Sequence, residues 1–218
     1  MAVNDEEKRQ LISALFFPGI LLFLIWFIKV VEVVAGISLG NYGIYPREIN
    51  GLAGILFSPL IHADFKHLIN NSLPLLLLTT ATFYFYKPIA LKIIIIVWLV
   101  TGLCVWIGGR SAYHIGASSL IYAEAAFLFF SGVIRKNIKL LAISLLIILL
   151  YGGMVWGIFP IDMRISWESH LFGGLTGATF AFIFADEGPK NEKIEWDDED
   201  EEYPYWENTD EEENKSAV

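Results

Sequence analysis

The chain has little charge, a single cysteine and no basic patch, and each shortage removes a class of explanation. Charged residues make up 18% of its 218 positions, where soluble domains carry about a quarter. They are also unevenly placed. Residues 187–218 hold 14 acidic and 3 basic side chains against −9 for the whole chain, so the rest sums to about +2. The sequence pI of 4.9 therefore belongs to a tail, and the near-neutral body gives no expectation of a nucleic-acid partner. Cys104 stands alone in an apolar run, which excludes a disulfide framework. A cleavable signal peptide is not expected either, because the first apolar run is long and lacks a small-residue cleavage site. Nor does the start read as an Arg-rich transit peptide, since Asp5, Glu6 and Glu7 precede Lys8 and Arg9.

In excess are apolar residues, 55% of the chain, with a mean hydropathy of +0.53. A helix needs about 20 mostly apolar residues to cross hydrocarbon. Six segments qualify, near residues 11–36, 67–86, 89–108, 116–134, 138–157 and 167–185. Turn chemistry separates them, as in Lys87-Pro88, Gly108-Gly109-Arg110 and Pro160-Ile161-Asp162. The expected fold is an all-α, six-helix membrane bundle. The connection 37–66 is long, semi-apolar and too interrupted to span. It reads as a loop lying in, or partly embedded in, the membrane surface, and loops of that length are usually functional.

The expected organisation is a short N-terminus (1–10), a membrane domain (11–186) and an acidic, disordered tail (187–218). With six spans, both termini share a side, and that side holds ten of the Lys and Arg residues. The other holds Arg47, Lys66, Arg110 and Arg164. The bias places both termini in the cytoplasm, and a bacterial inner membrane is the expected location.

Polar groups inside spans need a reason, because hydrocarbon offers them no partner. The second span opens with His67, Asn70 and Asn71, the fourth with Ser118 and Ser119, and the sixth with His170. All lie within about two turns of the outer ends of their helices, at 1.5 Å per residue. Serine is a weak nucleophile that needs a neighbouring base, and His170 can be that base. The oxyanion formed on attack needs fixed donors. His67 and Asn71, one turn apart on one helix face, are candidates together with the Ser118 backbone N–H. Ser169, Gly173, Gly177 and Ala181 form a stripe of small residues that allows two helices to approach closely. Glu168, two residues from His170, faces elsewhere, so a dyad is expected, with Tyr122 free to pack on the imidazole.

Plainer readings of the same residues exist. Ser118 can cap a helix, His67 can be an interfacial histidine, and Asn70 and Asn71 can bond a backbone loosened by Pro74. His114 is expected to be a solvated loop residue. Lys29 and Glu32, at i and i+3, are expected to pair or snorkel, while Glu124 has no evident partner. The spacing of His62, Asp64 and His67 is poor for metal binding. A transporter would need polar residues at full depth or paired broken helices, and no internal repeat is visible.

Together, His62-Ala63-Asp64-Phe65-Lys66-His67-Leu68-Ile69-Asn70-Asn71, Gly116-Ala117-Ser118-Ser119 with Tyr122, and His170-Leu171-Phe172-Gly173 with Gly177 resemble the rhomboid family of intramembrane serine proteases. The resemblance implies Ser118 as nucleophile and His170 as general base. It further implies His67 and Asn71 as oxyanion-hole donors, Tyr122 stacked on the histidine, and His62 as a structural residue before the second span. It implies cleavage of single-span membrane proteins in or near the bilayer, without metal or cofactor. Two departures stand out. Ser119 sits where the family usually has glycine, and the first loop shows Tyr45-Pro46-Arg47 where many members carry a Trp-Arg pair. The alternative function is an inactive rhomboid-like protein that binds and retains membrane clients.

Overall fold

The computed structural model describes residues 5–151 and 154–189. Helix α1 covers Asp5–Val34. The connection after it contains three 3-10 turns and one short helix, α2 (Gly54–Phe57). There follow α3 (Phe65–Phe85), α4 (Ala90–Gly108), α5 (Ser118–Arg135), α6 (Ile138–Leu150), α7 (Met154–Gly157) and α8 (Trp167–Ile183). Helices α1, α3, α4 and α5 are long and apolar enough to cross a membrane; α6 has 13 residues and α8 has 17. Large apolar side chains face outward, with Phe16 and Phe23 of α1 71% and 70% exposed. Lipid tails can cover such a surface where water cannot. The protein is a multi-pass integral membrane protein.

The fifth apolar segment differs from expectation. Residues 138–157 do not form one helix: α6 stops at Leu150 and α7 begins at Met154. Tyr151 closes α6 as its C-cap, its N–H donating to the Ile147 carbonyl. The acidic tail, expected to be disordered, lies outside the described residues apart from its first few positions.

Helix α8 packs tightly on α5, and the glycine stripe makes the contact. A Cβ on Gly173 would lie 2.3 Å from the Ser119 carbonyl oxygen, and one on Gly177 would lie 1.9 Å from that of Ala123. Gly174, its neighbour in sequence, faces open space and takes no part.

Buried charge ties separate segments together. Lys29 donates to Glu32 at 2.9 Å and to the carbonyls of His62 and Ala63. Glu32 in turn accepts from the Leu39 N–H. The expected pairing therefore forms and also anchors the chain just before α3. Glu124 finds its partners across the bundle, accepting from Thr79 at 2.8 Å and Thr82 at 3.3 Å. The first loop is held without a Trp-Arg pair of neighbours in its own sequence. Arg47 donates to the Gly109 carbonyl at 2.7 Å, while the Trp98 and Trp106 indoles of α4 donate to the Ile55 and Glu48 carbonyls.

Candidate functional site

Three helix starts converge. Asp64 caps α3 by accepting from the His67 N–H at 2.7 Å, a stabilising placement for a carboxylate. The cap fixes the first turn of α3, and with it His67 and Asn71. Ahead of α5, an antiparallel bridge joins Ile44 to His114, and the Gly116 N–H donates to the Ser58 carbonyl at 2.8 Å. Gly116 adopts φ of +110°, and a Cβ there would meet the His67 ring at 2.6 Å. Only glycine satisfies both constraints. The chain then turns into α5 with Ser118 as its first residue, where backbone N–H groups lack helical partners.

Ser118 and His170 meet, with Oγ 2.8 Å from Nε2. The other ring nitrogen, Nδ1, donates to the Gly157 carbonyl at 2.9 Å. A carbonyl can only accept, so Nδ1 carries the hydrogen and Nε2 is left to accept the serine proton. Tyr122 stacks flat on the imidazole, with centroids 4.2 Å apart and planes 6° from parallel. Gly157 leaves no room for a side chain: a Cβ would lie 2.1 Å from the Tyr122 hydroxyl. Ser118, His170, Tyr122, His67 and Asn71 all line one cavity of about 910 Å³. Gly173 and Gly177 lie at the α5–α8 contact, where they set the distance between the helices that carry Ser118 and His170.

His62 sits behind Asn71. Its Nε2 is 3.0 Å from Asn71 Nδ2 and 3.4 Å from the Ala117 N–H. Both neighbours are donors, so His62 must be neutral and accepting, and it thereby orients the Asn71 amide. Burial and then the nearby His67 push its pKa down to about 3. The unfolded chain binds this proton near pH 6.5, whereas the fold resists it until about pH 3. Stability is therefore full above pH 6.5 and falls as pH drops through that window. Buried His114 is shifted in the same direction. Thermal unfolding of the purified protein should lose transition temperature steadily between pH 6.5 and 4, with a shallower slope in His62→Gln.

Residues without an assigned role in the sequence also belong here. His114 is not a solvated loop residue: it is 2% exposed, bonded through Nδ1 to the Ser166 hydroxyl and through Nε2 to the Arg110 carbonyl. Its burial follows from the bridge to Ile44, a long-range pairing that a local pattern does not announce. Gly157 likewise read only as the end of the apolar segment 138–157, and no local pattern marks its carbonyl as the partner of His170. Among the described residues no group of three or more His, Cys, Asp or Glu side chains is arranged to hold a metal.

The family model described as Rhomboid domain matches residues 50–187. Uncharacterized proteins of Mycobacterium bovis and Mycobacterium tuberculosis are each 30% identical over 171 residues, covering 74% of this chain and 71% of theirs. One of Mycobacterium leprae is 30% identical over 172 residues, covering 74% and 68%.

Proposed function

Because the chain belongs to the rhomboid family, we propose that it is an intramembrane serine endopeptidase that cleaves single-span membrane proteins with a Ser118–His170 dyad. The observation that carries this reading is the 2.8 Å contact from Ser118 Oγ to His170 Nε2, with Nδ1 already committed to the Gly157 carbonyl. As a peptide carbonyl enters, His170 Nε2 takes the hydroxyl proton while Oγ forms a bond to the carbonyl carbon. The imidazolium then returns the proton to the departing amine, and a water repeats the sequence to release the acyl group. Charge on the carbonyl oxygen is met by the Ser118 N–H, His67 and the free N–H of Asn71.

Six spans with cytoplasmic termini put the dyad near the extracytoplasmic face of a bacterial inner membrane, so cuts fall near the outer leaflet. No metal or cofactor is required by this chemistry.

The alternative is a protein that binds and retains membrane clients without cutting them. A serine-directed fluorophosphonate separates the two. The protease should label in lipid, lose labelling in Ser118→Ala and keep it in Ser119→Ala. A wild-type protein that never labels favours the client-binding reading, and labelling lost only in Ser119→Ala would move the nucleophile by one residue.

A further inference from the structure

The dyad histidine lies on the first turn of α8, and a polar assembly that reaches the same cavity through Arg110 and Ser166 fixes that turn. Glu168 is buried, with 4% of its side chain exposed. It lies two residues from His170 and so faces away from the dyad. Its Oε2 accepts from Arg110 Nη1 at 2.8 Å and its Oε1 from the Arg110 N–H at 3.3 Å. Arg110 Nη2 also donates to the carbonyls of Met163 and Ile165, at 2.8 and 2.9 Å. One guanidinium therefore collects the carboxylate of the first helical turn and two carbonyls of the chain leading into it. Beside it, the Ser166 hydroxyl bonds to Ser169 and to His114, and His114 returns to the Arg110 carbonyl at 3.1 Å. Ser166 occupies the N-cap position of α8 yet makes no capping bond with its side chain; its hydroxyl serves this assembly instead. Every partner outside α8 and its lead-in comes from the α4–α5 connection, the same segment that delivers Ser118.

We infer that Arg110 and Glu168 are positioning residues: they lock the start of α8 to the α4–α5 connection and so set the register of His170 against Ser118. This inference rests on the dyad reading above. Neither residue is hydrogen-bonded to Ser118 or to the His170 ring, and the pair acts on the dyad by placing the start of α8. A planar, multiply bonding arginine suits such a role better than a lysine, because it satisfies a carboxylate and two carbonyls at once.

The test measures turnover of a single-span substrate in proteoliposomes, with thermal unfolding in parallel, for wild type, Ser118→Ala, Glu168→Gln, Arg110→Ala and the Arg110→Ala/Glu168→Gln double variant. Misplacing reacting groups by about 1 Å costs on the order of 100-fold. Each single variant should therefore lose about 10- to 100-fold in kcat with KM within about twofold. The double variant should be no worse than Arg110→Ala, because the two residues act as one unit. Glu168→Gln keeps the side chain's shape and supplies the answer if Arg110→Ala does not fold. A Glu168→Gln enzyme with kcat within twofold of wild type overturns the inference. So does a Glu168→Gln protein with no folded state, since the pair would then serve the scaffold and not the register. If wild type itself shows no Ser118-dependent turnover, the protease reading has failed first, which is a separate result.

Discussion

Replacing His170 by alanine is expected to lower kcat by about 10²- to 10⁴-fold, the range a positioned general base supplies, with KM little changed. The reason is geometric. Ser118 Oγ has its proton acceptor 2.8 Å away, and the described structure sets no second base beside it. Glu168 is engaged with Arg110, and His67 packs against Gly116. Loss of the imidazole also removes the partner of the Tyr122 ring, but stacking of this kind is worth only about 0.5–1.5 kcal/mol. Folding should therefore survive. Turnover in proteoliposomes and thermal unfolding of the same preparation check both halves. An alanine variant with turnover within tenfold of wild type would remove His170 from the chemistry.

The second large effect is on assembly. Gly177→Val is expected to prevent close packing of α8 on α5, because even its Cβ would sit 1.9 Å from the Ala123 carbonyl oxygen. That atom belongs to a helix backbone and cannot swing aside. Overpacking against flexible side chains costs about 1–3 kcal/mol, and a rigid carbonyl leaves less room for relaxation. Separation of the helices also withdraws His170 from Ser118, so activity should vanish along with stability. Gly174→Ala is the control: it projects into open space and should hold the unfolding temperature at or slightly above that of wild type, through helix propensity. Equal behaviour of the two variants would contradict the packing account.

How far the sequence anticipates the molecule depends on the range of the interaction. Hydropathy located α3, α4 and α5 within two residues at each end and α1 within six, because length and apolar content are local properties. The four-residue spacing of Gly173 and Gly177 pointed to a close helix contact for the same reason. The end of α6 at Leu150 was missed, since an apolar average over residues 138–157 does not register where a helix stops. Partners far apart in sequence were not legible. Nothing in the pattern around Glu124 names Thr79 and Thr82, which lie 45 and 42 positions away. His114 looked like a loop residue because its burial depends on the bridge to Ile44 and the bond to Ser166. Of the site itself, the residue types and their helix ends could be read. The commitment of His170 Nδ1 to the Gly157 carbonyl, and of Asn71 to His62, could not, because both depend on how separate segments dock.

The most direct measurement is cleavage of a panel of single-span membrane proteins by the purified, lipid-reconstituted protein and its Ser118→Ala variant. The dyad account predicts at least one substrate cut within or beside its membrane segment, near the outer leaflet, by wild type and not by Ser118→Ala. Equal cleavage by the two proteins would contradict it.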